Sequence, residues 1–113
     1  GGNAAVHQFT RVGKMAMIGG MTGVSSDVIP YGLSVGNRNY LEGINLIGLR
    51  RKNIPNKDIL TLTSAYKEIF KTKNLNENLK KLNGEFKNNK LVNEVINFII
   101  KDKKRPICTP FIK

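Results

Sequence analysis

Four aliphatic residues near the start of the chain stand six apart: Val6, Val12, Ile18 and Val24. A small residue sits two positions before each, at Ala4, Thr10, Ala16 and Thr22, and Gly13 and Gly19 follow two of the aliphatics. A period of six is neither the 3.6 of a helix nor the 2 of an ordinary strand. It is the period of a hexapeptide left-handed parallel β-helix, in which each short strand adds one aliphatic to an interior stack. About three hexapeptides make one coil, and several coils must stack to bury a core. Residues 1–29 supply fewer than about two coils. The chain opens on Gly1-Gly2 already in register with the repeat. We therefore expect further coils upstream of Gly1.

The repeat is expected to stop at Pro30, where the next aliphatic would fall and where a missing N–H breaks a ladder. Residues 33–49 carry Gly36, Gly43 and Gly48 among scattered aliphatics and read as extended connecting structure. A helix is expected from about Asn53-Ile54-Pro55, with Asn53 as cap and Pro55 in the first turn. Ile59, Leu62, Ala65, Tyr66, Ile69 and Phe70 then share one face, with Lys57, Lys67 and Lys71 opposite. A shorter helix is expected around Asn76–Leu82, ended by Asn83-Gly84. A third, at about Lys90–Lys103, presents Leu91, Val92, Val95, Ile96 and Ile99 in one stripe, and Pro106 and Pro110 end regular structure. The expected organisation is thus the end of a left-handed β-helix over 1–32, an extended connector over 33–52 and a small α-helical domain over 53–113.

Charge is unevenly placed along the 113 residues. Up to Ile47 there are three cations and two anions; from Gly48 onward sixteen cations face six anions. A basic second half suggests an anionic partner: nucleic acid, a nucleotide diphosphate or an acidic protein. Nucleic acid is disfavoured, because residues 71–105 offer only Phe86 and Phe98 as aromatics for stacking. A noncatalytic basic module would also leave the six-residue period unused. No apolar run approaches the roughly 20 residues of a membrane span. The single Cys108 has no partner for an internal disulfide or a metal site, and reads as a free tail thiol in a reducing compartment.

Two places hold residues able to do chemistry. The segment Ala5-Val6-His7-Gln8-Phe9 contains the one histidine, which could act as a base, a ligand contact or a satisfied structural group. Asn45-Leu46-Ile47-Gly48-Leu49-Arg50-Arg51-Lys52 ends in three successive cations just ahead of the first long helix. Arginine forks and the donors of a helix start suit a diphosphate; a solvated basic turn is the alternative.

These segments occur together with Gly19-Gly20-Met21-Thr22-Gly23-Val24, Asp27-Val28-Ile29-Pro30-Tyr31, Gly36-Asn37 and Ala65-Tyr66-Lys67. In that combination the chain closely resembles the UDP-N-acetylglucosamine O-acyltransferases of lipid A biosynthesis, over residues 1 to about 72. From 73 to 113 the resemblance weakens to a helix pattern and a basic tail. It implies a cytoplasmic homotrimer that moves an (R)-3-hydroxyacyl chain from acyl carrier protein to the 3-hydroxyl of UDP-N-acetylglucosamine, with no cofactor or metal. The general-base histidine of that family would lie upstream of Gly1, so none of the residues here is catalytic. Substrate binding would fall to His7 and Gln8 in the cleft between subunits, and to Asn45, Arg51 and Lys52 at the uridine and diphosphate. Gly20 aligns with the position that limits acyl-chain length; lacking a side chain, it implies an open groove and a donor of the 3-hydroxymyristoyl kind. Lys52 stands where many members carry Arg, Ile47 where some carry a Glu that contacts the nucleoside, and Arg38 where some carry His. Acidic acyl carrier protein would be steered by the basic half, with Lys57, Lys67 and Lys71 as candidates. Another hexapeptide acyltransferase, notably the N-acyltransferase of the same pathway, is the nearest alternative, disfavoured by His7-Gln8-Phe9 together with Asn45 and Arg50-Arg51.

Overall fold

The structure is a computed structural model that describes residues 10–19, 26–35, 40–101 and 106–110, and the backbone alone at 5–6 and 23–24. Most of the regular structure is helical, set against a small mixed sheet. The strands are β1 (Ala5–Val6), β2 (Met17–Ile18), β3 (Gly23–Val24), β4 (Gly32–Val35) and β5 (Tyr40–Ile44). The helices are α1 (Leu46–Arg51), α2 (Asn56–Ile69), α3 (Leu75–Lys80) and α4 (Lys90–Ile100), with a 3-10 segment at Gly84–Asn88.

The first strands pair in parallel. β1 meets β3 through Ala5↔Gly23 and Val6↔Val24, eighteen residues apart. The next pairings, Val12↔Val28, Met17↔Leu33 and Ile18↔Ser34, are sixteen apart. Two residues are thus lost between Val24 and Val28, and the six-residue phase resumes with Val28 where Pro30 was expected. Pro30 has no N–H to give, whereas Val28 donates to Arg11 O at 2.9 Å and accepts from Gly13 N–H at 2.8 Å. So Pro30 does not end the ladder. It sits in a turn with Tyr31, whose φ is 65°, and β4 continues the parallel pairing beyond it. β4 then turns antiparallel against β5.

The tail returns to this sheet. Asp27 and Ile107 form a parallel bridge, with Asp27 N–H to Pro106 O and Cys108 N–H to Asp27 O both at 2.7 Å. Leu41 N–H adds a bond to Thr109 O at 3.0 Å. Pro106 therefore does not end ordered pairing, and Cys108, which forms no disulfide as expected, sits in an anchored tail. It is buried, with its sulfur 3.9 Å from Ser34 Oγ.

The helices follow the apolar stripes. α2 buries Ile59, Leu62, Ala65 and Ile69, and α4 buries Leu91, Val92, Val95 and Ile99. Together with Val28, Ile29, Tyr31, Leu41 and Leu49 they form one continuous core. Lys57, Lys67 and Lys71 are exposed as expected. Four asparagines start these elements: Asn45, Asn74, Asn83 and Asn89 each accept a backbone N–H through the side chain. Four of the chain's fourteen asparagines are thus capping groups. Asn53 is not among them. It holds φ 58° just after α1, a conformation asparagine tolerates, and α2 starts behind Pro55 without a side-chain cap.

Candidate functional site

α1 occupies part of the segment expected to be extended. Asn45 caps it: Asn45 Oδ1 accepts from Gly48 N–H at 3.1 Å, and Leu49 is its one buried residue. The three cations therefore close this helix rather than open the next. Arg50 and Arg51 fill its last turn and Lys52 is its C-cap. There they complement the negative end of the helix dipole, and α2 does not start until Asn56.

Between α1 and the segment 15–17 lies an open cavity of about 500 Å³. Asn45, Gly48, Arg51 and Lys52 line one side, with Ile47; Met15, Ala16 and Met17 line the other. Arg50, though adjacent, stays outside it. No carboxylate lines the cavity, and among the described residues neither Arg51 nor Lys52 forms an ion pair. Ile47 is 62% exposed and Met17 51% exposed, so each wall adds an exposed apolar side chain to the two cations. Such a pairing accepts a ligand that joins an anionic group to a flat or apolar one.

Three of the expected substrate residues, Asn45, Arg51 and Lys52, thus share one cavity, and the departure Ile47 joins them. His7, Gln8, Gly20 and Arg38 lie outside the described residues. Sequence reasoning missed the opposite wall. Met15 holds φ 56°, and nothing in its local sequence marks it as a turn residue.

Two polar anchors hold the helices against the coil behind this wall. Tyr31 OH donates to Glu94 Oε2 at 2.8 Å, and Lys14 Nζ stands 3.5 Å from the same oxygen. They border a smaller cavity of about 190 Å³. Burial, then the bond to Glu94 and its charge, push the Tyr31 phenol well above its usual range. Arg11 forms the second anchor. Its Nε meets the fully buried Asp27 Oδ2 at 2.9 Å, its NH2 group donates to Phe98 O at 3.0 Å, and its guanidinium lies 4.1 Å from the Phe98 ring centre. No helix among the described residues is long and apolar enough to cross a membrane.

Residues 27–108 match the protein family described as UDP N-acetylglucosamine O-acyltransferase, domain 2. An acyl-[acyl-carrier-protein]--UDP-N-acetylglucosamine O-acyltransferase of Rhizobium leguminosarum is 40% identical over 111 residues, covering 97% of this chain and 41% of that protein. The Bartonella henselae protein of the same name is 41% identical over 110 residues, 96% of this chain and 40% of its own length. Among solved structures, the Arabidopsis UDP-N-acetylglucosamine acyltransferase superposes with a TM-score of 0.86 at 33% identity, over 93% of this chain and 40% of that one. The Campylobacter jejuni enzyme gives 0.82 at 33% identity, over 96% and 42%. The chain spans about 41% of the length of the curated relatives it matches.

Proposed function

We propose, from the premise that this chain belongs to the UDP-N-acetylglucosamine O-acyltransferase family and matches its second domain, that it forms the nucleotide-sugar-binding end of such an enzyme. The reaction is transfer of an (R)-3-hydroxyacyl chain from acyl carrier protein to the 3-hydroxyl of UDP-N-acetylglucosamine, the first step of lipid A biosynthesis. The observation that carries this reading is the cavity that Arg51 and Lys52 line together with the exposed apolar side chains of Ile47 and Met17. Arg51 grips the diphosphate with a forked pair of donors, and Lys52 adds a point charge. Ile47, apolar and exposed, offers the nucleoside a packing surface in place of a carboxylate.

The remaining assignments follow the family resemblance. His7 and Gln8 contact the sugar nucleotide in the cleft between subunits of a cytoplasmic homotrimer. The general base of this family is a histidine two coils before the His7-Gln8 pair, so the residues assigned here are binding groups. The base takes the proton of the sugar hydroxyl, the oxygen attacks the thioester carbonyl, and a backbone N–H holds the oxyanion until the carrier thiolate leaves. The parallel pairings at offsets of eighteen and sixteen residues support reading 1–32 as the last coils of a left-handed β-helix, with 33–52 as connector and 53–113 as helical domain. The basic helical part steers the acidic donor protein, with Lys57, Lys67 and Lys71 exposed on or beside α2. Gly20 leaves the acyl groove open for a long donor.

Transfer assays on the full reading frame that carries this segment test the proposal, using 3-hydroxyacyl carrier proteins of ten and fourteen carbons. Product is expected with UDP-N-acetylglucosamine and the fourteen-carbon donor. A preference for the ten-carbon donor removes the role given to Gly20, and no transfer from a folded trimer removes the activity.

A further inference from the structure

We propose that Asn45 is a positioning residue, whose amide locks the basic helix α1 to the turn at Lys14–Met15, and that Gly48 is there to leave room for the lock. Its effect on binding rests on the nucleotide reading above; its geometry does not.

Four hydrogen bonds converge on Asn45. Its Oδ1 accepts from Gly48 N–H at 3.1 Å, and its Nδ2 donates to Met15 O at 2.9 Å. Its backbone N–H donates to Tyr31 O at 2.7 Å, and its carbonyl accepts from Leu49 N–H at 3.1 Å. A helix cap needs only the acceptor, which serine or aspartate would supply equally well. The donor is what distinguishes an amide, and here it is spent on Met15. Met15 holds φ 56°, uncommon for a residue with a side chain, and this bond helps to fix it there.

Gly48 completes the arrangement. A Cβ at Gly48 would fall 2.5 Å from Asn45 Nδ2 and 3.0 Å from its Cγ. Any side chain there must push the amide off its seat. Met15 and Asn45 both line the cavity that Arg51 and Lys52 line. A shift at the start of α1 is carried along the rigid helix to the two cations. Asn45 therefore sets where those charges stand relative to the opposite wall.

Two neutral variants of the full protein test this: Asn45→Ser, which keeps a cap acceptor but is too short to reach Met15, and Gly48→Ala. Each is titrated calorimetrically with UDP-N-acetylglucosamine and with inorganic pyrophosphate, which can engage the cations but carries no base or sugar. Both variants are expected to weaken both ligands by a similar factor, about tenfold, as for a misplaced binding group. Backbone amide exchange at Leu49–Lys52 is expected to quicken while that of α2 and α4 stays unchanged. Weaker UDP-N-acetylglucosamine binding with unaltered pyrophosphate binding would mean that Asn45 contacts the ligand directly, and overturns the proposal. So does unchanged exchange. If the parent protein binds neither ligand, the nucleotide reading fails, and the exchange measurement still decides the lock. Asn45→Asp, judged on exchange alone, replaces Asn45→Ser should the latter not fold.

Discussion

Cys108 illustrates what a single residue hides in a sequence. Alone near the end of a basic chain it reads as a free tail thiol, because the strand that holds it is distant in sequence: its N–H donates to Asp27 O, some eighty positions away. Burial raises the thiol from its usual 9.0 to about 11, a rise that the Ser34 hydrogen bond partly offsets. The folded state thus favours the protonated thiol. Its contribution to stability is complete below pH 9.0 and is lost as the pH climbs toward about 11. At any one pH from neutral to about 9, alkylation by iodoacetamide should be far slower in native protein than in denaturant, because burial blocks access and keeps the thiolate scarce. A native rate equal to that of the denatured protein would contradict the burial. At the cavity, Lys52→Arg should tighten UDP-N-acetylglucosamine by about threefold, since a fork replaces a point charge; calorimetry reads this directly. Arg51 and Lys52 were legible as a basic cluster. That they close a helix was not, because a run of cations looks the same on either side of a helix boundary.

The elements divide by how much local signal each carries. α2 and α4 were legible because long amphipathic stripes outweigh any ambiguity at their ends. α1 was not: it has six residues and buries only Leu49, too little to register as a period. Asn53 looked like a cap and is a left-handed residue instead; asparagine suits both roles, so tertiary context decides. The parallel strands were legible from their period, but the two-residue loss before Val28 was not, since it follows from where Pro30 cannot pair. The contacts that join these elements should be sensitive. Asp27→Ala leaves the Arg11 guanidinium without its carboxylate, and should cost about 3 kcal/mol by chemical denaturation. Tyr31→Phe removes the hydroxyl that Glu94 accepts from, at about 1.5 kcal/mol. Gly13→Ala drives a Cβ into the Pro30 backbone nitrogen, a clash with main chain that cannot swing aside. It should destabilise more than Tyr31→Phe; equal thermal stability to the parent would refute that close approach.

At the scale of the whole molecule, charge and fold serve different ends. One core runs through the sheet and the helices, while among the described residues the cations from Arg50 to Lys101 lie on or between the helices, with Arg51 and Lys52 lining the cavity. The period of six and the motif combination made the family legible. The distribution of roles among the cations was not, because net charge says what is attracted and not where it docks. Reversing Lys57, Lys67 and Lys71 together should slow capture of the acyl carrier protein and flatten its salt dependence, without changing affinity for UDP-N-acetylglucosamine. The most direct test of the central claim is calorimetric titration of UDP-N-acetylglucosamine into the full protein and into its Arg51→Ala variant. Saturable binding by the parent, weakened at least about tenfold in the variant, is the predicted result. Equal affinities, or no binding by folded parent protein, would contradict the assignment of this cavity to the nucleotide sugar.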